Sequence, residues 1–177
     1  MIALALHLLI NERRPALRSQ WSDALRGVTS VRLISVHLQE LMAMPEVDAI
    51  VMMGMFAHER YGGMPVPGRS QILDTGGDAR VPPWVVSTAP LAASARPVPV
   101  DTTRIEIVPQ RPLEPEQQEY LGFREVFGRI LEFNEGGTED RIGTLAVDCE
   151  FIRFPLREEQ PRGEMEALLK AYHEYWP

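Results

Sequence analysis

Two almost uninterrupted apolar runs of strand length constrain the fold of this chain more than any other feature of its sequence. Residues 2–10 and 47–53 are apolar along nearly their whole length, and Asp48 is the only charged residue in the second run. Strands that are apolar on both sides are typical of a parallel sheet covered by helices on both faces. The two runs therefore predict central strands of such a sheet.

Further strand and helix patterns alternate along the rest of the chain. Strands are predicted, from alternating or β-prone residues, at residues 31–38, 71–73, 84–88, 103–108 and 142–147. Amphipathic helices are predicted at residues 15–26, 115–134 and 163–176. Residues 40–45 and 62–68 are interpreted as connections without regular structure. This order predicts an α/β fold, a three-layer α/β/α sandwich with a mixed, mainly parallel central sheet.

Length, charge and cysteine content narrow the class of protein. A chain of 177 residues fits one domain, predicted to span residues 1–177. The formal net charge of −7 argues against binding to nucleic acid or to an anionic membrane. Cys149 is the only cysteine, so we expect a reducing, cytoplasmic location. The first apolar run precedes Arg13 and Arg14, whereas a signal peptide has its positive charges before the apolar segment.

The carboxyl ends of the central strands are the place to look for a site. Open parallel sheets bind their ligands in the crevice outside these ends. Three loops are predicted to follow central strands, at residues 52–63, 87–95 and 148–155. Polar groups in these loops are therefore the candidates for binding or catalysis.

The first loop carries a histidine, a carboxylate, a guanidinium and an aromatic ring in succession, His58-Glu59-Arg60-Tyr61. Such groups supply acid–base chemistry and pairing with phosphate. Gly62 and Gly63 follow, and glycine permits close approach of a backbone to a ligand. The alternative interpretation is a solvated loop with an ordinary glycine turn.

The third loop places two carboxylates, Asp148 and Glu150, at the end of a strand. They are candidates for a base or for acceptors of ribose hydroxyl groups, or else for ordinary strand-end polarity. We interpret Cys149 as an inert, partly buried thiol. His37, near the end of the second strand, is either a ligand contact or a hydrogen-bonded edge histidine. No two histidines have metal-ligand spacing, so neither a metal site nor a cofactor is predicted.

The sequence resembles the macrodomain family of ADP-ribose-binding modules over residues 28–90 and 115–176. In that family a strand like Val47-Asp48-Ala49-Ile50-Val51 precedes a loop that ends in glycines, here Gly62 and Gly63. Residues 64–76 and 81–90 resemble the next section, and residues 141–147 and 163–176 resemble the last central strand and the closing helix. The resemblance implies a macrodomain-like fold and an ADP-ribose ligand.

Three positions depart from the family pattern. His37 stands where the family usually has an aspartate that holds the adenine amino group, and Met55 stands where it has an asparagine at the distal ribose. Residues 148–155 contain no glycine, although the family has a glycine-rich phosphate loop there, and only Pro155 matches the end of that loop. The resemblance therefore predicts a site in the same position with altered chemistry.

We accordingly expect a divergent macrodomain-like protein that binds ADP-ribose, a related nucleotide derivative or an ADP-ribosylated protein, with hydrolysis of an ADP-ribosyl bond as a further expectation. The expected catalytic residues are His58, Glu59 and Asp148. The expected ligand contacts are His37, Met55, Arg60, Tyr61, Gly62, Gly63, Glu150, Phe151 and Phe154. One alternative is a non-catalytic interaction module, with Met52, Met53 and Met55 lining an apolar groove. Another is an enzyme that uses His58 and Glu59 for proton transfer. The sequence leaves the oligomeric state open.

Overall fold

Strands and helices alternate along most of the chain in a computed structural model, which describes residues 5–89, 95–101, 104–109, 115–137, 139–152 and 161–177. The strands are β1 (His7–Asn11), β2 (Val31–Ile34), β3 (Ala49–Met52), β4 (Gln71–Asp74), β5 (Trp84–Ser87), β6 (Ala95–Asp101), β7 (Arg104–Pro109) and β8 (Thr144–Asp148). The helices are α1 (Pro15–Ala24), α2 (Leu38–Met42), α3 (Gly54–Tyr61), α4 (Pro115–Glu135) and α5 (Pro161–Tyr175).

Six of these strands form one sheet in the order β2-β1-β8-β3-β5-β4. The neighbours from β2 to β5 are parallel, and β4 at the edge runs antiparallel to β5. Strands β6 and β7 pair with each other as a separate antiparallel ribbon. The predicted α/β fold with a mixed, mainly parallel central sheet is therefore confirmed.

Both faces of the sheet are buried, which explains the continuous apolar runs. Successive side chains of a strand point to opposite faces, so Leu8 and Ile10 of β1 face one side and Leu9 faces the other. Helices α1, α4 and α5 cover the first face, and α2 and α3 cover the second. The result is three layers, helices–sheet–helices. None of the helices in the described part of the chain combines the length and apolarity that crossing a bilayer requires.

The structure corrects two predicted connections. Residues 40–45 overlap α2, which buries Leu41 against the sheet, and strand β2 already ends at Ile34. Residues 52–63 contain α3 where a loop was expected, since Ala57 and Tyr61 lie one helical turn apart and pack on the same face. Both helices are short, and burial against the sheet stabilises them more than their own propensity does.

Asp48, the one charged residue of the second apolar run, anchors the start of β3 to the start of β8. Its Oδ2 atom accepts hydrogen bonds of 2.9 Å from the backbone N–H groups of both Gly143 and Thr144. A backbone N–H that is removed from water and lacks an acceptor costs free energy. The carboxylate therefore has a structural role at the edge of the sheet where the strands begin.

We expect the substitution Asp48→Ala to lower the free energy of unfolding by about 1–3 kcal/mol, because two backbone N–H groups lose their acceptor. Urea unfolding followed by circular dichroism measures the change. Asp23→Ala, at an exposed position in α1, is the control and should change stability by less than about 0.5 kcal/mol. An Asp48→Ala variant with the wild-type unfolding midpoint would contradict the structural role.

Candidate functional site

The carboxyl ends of the parallel strands bring distant parts of the chain to one edge of the sheet, here called the carboxyl edge. Asn11 at the end of β1 lies beside Asp148 at the end of β8, and Met52 of β3 lies beside Ser87 of β5. The segments that follow these four strands therefore meet at this edge. Ligands of open parallel sheets bind in the same place.

The Asn11 carboxamide joins the ends of β1 and β8 to the segment that follows β2. Its Nδ2 atom donates hydrogen bonds to the Val36 carbonyl (3.0 Å) and to Asp148 Oδ2 (2.6 Å). Its Oδ1 atom accepts a hydrogen bond of 2.9 Å from the Val36 backbone N–H. Asn11 is buried, so these contacts fix β1, the segment before α2 and the end of β8 relative to one another.

The Asp148 carboxylate shapes the turn after β8. It is buried, and besides the bond from Asn11 its Oδ1 atom accepts a 2.7 Å hydrogen bond from the Phe151 backbone N–H. The Ile152 backbone N–H donates to the Asp148 carbonyl at 3.1 Å. This tight turn leaves the Glu150 side chain exposed at the carboxyl edge and holds the Phe151 ring beside it.

Two arginines after β1 have different environments. Arg14 donates from Nε and Nη2 to the two oxygens of the buried Glu12 carboxylate, each at 2.8 Å. This bidentate pair raises the pKa of Arg14. Arg13 forms an ion pair with Glu150 through Nη2, and the same nitrogen lies 3.6 Å from Asp148 Oδ1. Its buried Nε atom has no hydrogen-bond partner among the described residues.

A cavity of about 310 Å³ opens at this edge, and we call it the edge cavity. Its walls are Met53, Phe56, Glu150 and Phe151. The rings of Phe56 and Phe151 meet edge to face, with centroids 5.7 Å apart and an interplanar angle of 88°. The cavity thus combines two aromatic rings with one carboxylate.

Gly54 allows α3 to start close enough to form one wall of this cavity. Its backbone N–H donates to Thr88 Oγ1 at 3.0 Å, which caps the helix. A Cβ atom at this position would lie 2.5 Å from the Thr88 carbonyl oxygen, so a larger residue would push the helix away from β5. The missing side chain therefore sets the position of Met53 and Phe56.

The predicted residues of the first segment lie mostly along α3. His58 is buried, with 7% of its surface exposed, and its Nδ1 atom lies 3.0 Å from the Gly62 carbonyl oxygen. Gly62 and Gly63 have positive φ and end the helix, and Gly63 packs against the His58 ring. An eight-residue helix is about 12 Å long, so these glycines lie far from the end of α3 that borders the edge cavity.

The other predicted contacts have varied surroundings. Glu59 and Arg60 are exposed on α3, and the Arg60 guanidinium lies 5.8 Å from the centroid of the Tyr61 ring, which is partly buried against the α2–α3 face of the sheet. Met55 is 80% exposed and lies outside the cavity walls.

His37 is the residue just before α2, and its side chain is exposed. It lies outside β2, because that strand ends earlier than predicted. Phe154 lies outside the described residues. Of the predicted set, the structure brings Asp148, Glu150 and Phe151 together at the carboxyl edge. The functional roles predicted for all of these residues remain predictions.

Sequence reasoning missed part of this edge. Asn11, Glu12, Arg13 and Arg14 were not assigned to the site, although they directly follow the first apolar strand. They share with Asp148 and Glu150 the property of polar residues at the carboxyl end of a parallel strand. Phe56 lies on α3, and a segment predicted as a loop gives no direction for its side chains.

The carboxyl edge offers groups suited to a ligand with both a ring and hydroxyl groups. Aromatic rings stack on or border a planar base, and an exposed carboxylate accepts hydrogen bonds from hydroxyl groups.

No family model matches the chain, and no curated protein matches it. Within the described part of the chain, no three histidine, cysteine or acidic side chains gather in an arrangement that could hold a metal ion.

The Cys149 thiol should be unreactive in the folded protein. The residue is only 1% exposed, and burial raises the pKa of its thiol well above the ordinary value, with the neighbouring Glu12 carboxylate acting in the same direction. We expect labelling by a maleimide at neutral pH to be slower than in urea-unfolded protein by a factor of about one hundred or more. Labelling of folded protein at the unfolded rate would contradict this prediction, and mass spectrometry distinguishes the outcomes.

Proposed function

We propose that this protein binds ADP-ribose or a related nucleotide derivative at the carboxyl edge, with the base or a ribose in the edge cavity. One observation carries the proposal, namely that Phe56, Phe151 and Glu150 line a single cavity next to the ends of β3 and β8. The resemblance of residues 47–51 to the corresponding macrodomain strand supports the same class of ligand. The volume of the edge cavity, about 310 Å³, falls at the lower end of the range for small-molecule pockets.

Three of the four wall residues of the cavity have a definite part in this proposal. The rings of Phe56 and Phe151 contact the planar face or edge of the base, a contact that tolerates different bases. The Glu150 carboxylate accepts hydrogen bonds from ribose hydroxyl groups. The first turn of α3 begins at the same edge, and its N-terminal backbone N–H groups favour a negatively charged neighbour.

Hydrolysis of an ADP-ribosyl bond, the further expectation from the sequence, stays a prediction. Both oxygens of Asp148 accept hydrogen bonds within the protein, and His58 Nδ1 lies within hydrogen-bond distance of Gly62. Glu150 is the exposed carboxylate at the cavity and is therefore the group with access to a water molecule.

A cytoplasmic location belongs to the same proposal, because the single cysteine is a free thiol.

A second candidate function is a non-catalytic module that binds another protein. Large apolar side chains are exposed on α3 and on both sides of it in the chain, namely Met53, Met55, Phe56, Met64 and Val66. Exposed apolar surface of this kind often marks a protein–protein contact. A strictly monomeric protein in light scattering, combined with tight binding of ADP-ribose, would contradict this candidate.

Calorimetric titration of the protein with ADP-ribose tests the first proposal. We expect saturable binding that the substitution Phe151→Leu weakens by roughly fivefold to a hundredfold, because leucine keeps the apolar contact but removes the ring. Met64→Ala is the control, since this side chain is 79% exposed and lies outside the cavity walls. It should leave the affinity within about twofold of the wild type.

Two results would overturn the proposal. The first is the absence of any heat of binding and of any change in the nuclear magnetic resonance spectrum at millimolar ADP-ribose. The circular dichroism spectrum must show that the protein is folded. The second is binding that Phe151→Leu leaves unchanged, because the ligand would then occupy some other place. A melting curve for each variant separates a lost contact from a lost fold.

A further inference from the structure

We propose that Arg13 is the phosphate-binding residue of the carboxyl edge, and that its ion pair with Glu150 is exchanged for the ligand when the ligand binds. The inference rests on the proposed function for the position of the ligand. It adds the chemical class of the group that is recognised, a phosphate or diphosphate, and it names a residue that the sequence did not select. It also gives Glu150 two alternating partners.

Arg13 and Arg14 differ in how many of their donors are engaged. Arg14 satisfies the fork geometry of its guanidinium on both oxygens of Glu12, as a structural arginine does. For Arg13, Nη2 is the nitrogen nearest to both of its carboxylates, and it lies 3.6 Å from Asp148, beyond hydrogen-bond distance. Its Nε atom is buried without a partner among the described residues. Arg13 is therefore held at this edge with donors to spare.

The position of Arg13 joins the cavity to the end of β1. Glu150 lines the edge cavity and forms an ion pair with the Arg13 guanidinium, so the guanidinium lies directly beside the one carboxylate of the cavity wall. About a third of the Arg13 side chain is exposed, which gives a ligand access to it. A planar guanidinium binds phosphate through two parallel hydrogen bonds, a geometry that the present contact with Glu150 leaves unused.

The charge balance explains why an exchange is required. Three carboxylates (Glu12, Asp148 and Glu150) and two guanidiniums (Arg13 and Arg14) lie near one another around Cys149, so the group as a whole is acidic. An additional phosphate on Arg13 would meet Glu150 at close range, and like charges at that distance repel. Glu150, the exposed carboxylate of the three, therefore moves from Arg13 to the ribose hydroxyl groups when the phosphate arrives.

Nuclear magnetic resonance of the arginine side chains tests this directly, with sodium pyrophosphate and ADP-ribose as separate probes. The Nε–H resonances of Arg13 and Arg14 are assigned by their loss in Arg13→Gln and Arg14→Gln. We expect both probes to shift the Arg13 resonance saturably and to leave that of Arg14 in place. Arg13→Gln should weaken ADP-ribose binding by roughly tenfold to a hundredfold, whereas Arg14→Gln, with folding checked by circular dichroism, should weaken it by less than about twofold.

Glu150→Gln tests the exchange, because it frees Arg13 from its competitor. We expect it to strengthen pyrophosphate binding by at least about threefold. Glu46→Gln makes the same change of charge just before β3, away from the carboxyl edge, and should change the affinity by less than about twofold. Arg13→Lys, which keeps the charge but not the fork, should recover only part of the affinity.

The outcomes separate this inference from the proposed function. Binding of ADP-ribose with unchanged affinity by a folded Arg13→Gln variant would overturn the role of Arg13 and leave the proposed function in place. A saturable Arg13 shift with pyrophosphate, without any binding of ADP-ribose, would overturn the proposed function and support the phosphate site. A silent Arg13 resonance with both probes would overturn the role of Arg13, and only the absence of ADP-ribose binding in calorimetry would overturn the proposed function as well. Equal pyrophosphate affinity in Glu150→Gln and Glu46→Gln would overturn the exchange.

Discussion

The hydrogen bonds of the buried Asn11 carboxamide are the contact on which the candidate site depends most. They join the end of β1, the segment before α2 and the end of β8. Through Asp148 they also fix the turn that carries Glu150 and Phe151. The exposed groups at the carboxyl edge are therefore held by a buried polar contact beneath them, as second-layer hydrogen bonds commonly hold a binding site.

The sequence predicted the central layer well, because burial on both faces leaves a strong pattern. The apolar runs at β1 and β3 and the helical spacing of α4 and α5 follow directly from contact with the sheet and with the helices that cover it. Short helices leave a weaker pattern. Helix α2 has five residues and α3 has eight, and their stability depends on neighbours that are distant in sequence. For that reason the sequence pattern predicts connections at both places.

The same difference decides how much of the site could be predicted. Asp148, Glu150 and Phe151 follow a recognisable strand, so their place at the carboxyl edge could be expected. His58, Gly62 and Gly63 also follow a strand closely in sequence. However, His58 lies within α3, and the two glycines lie at the end of α3 that is far from the cavity. The pairing of Arg13 with Glu150 spans most of the chain and depends on β1 lying beside β8, an order that sequence alone does not provide.

The close approach at Gly54 has a geometric consequence for the edge cavity. Phe56 in α3 and Met53 just before it form two walls of the cavity, and α3 approaches the sheet closely only because Gly54 has no Cβ atom to overlap the Thr88 carbonyl. The opposite walls belong to a turn fixed by Asp148. The width of the cavity therefore depends on Gly54 on one side and on the Asp148 carboxylate on the other. A larger residue at position 54 would widen the cavity without any change to the residues that line it.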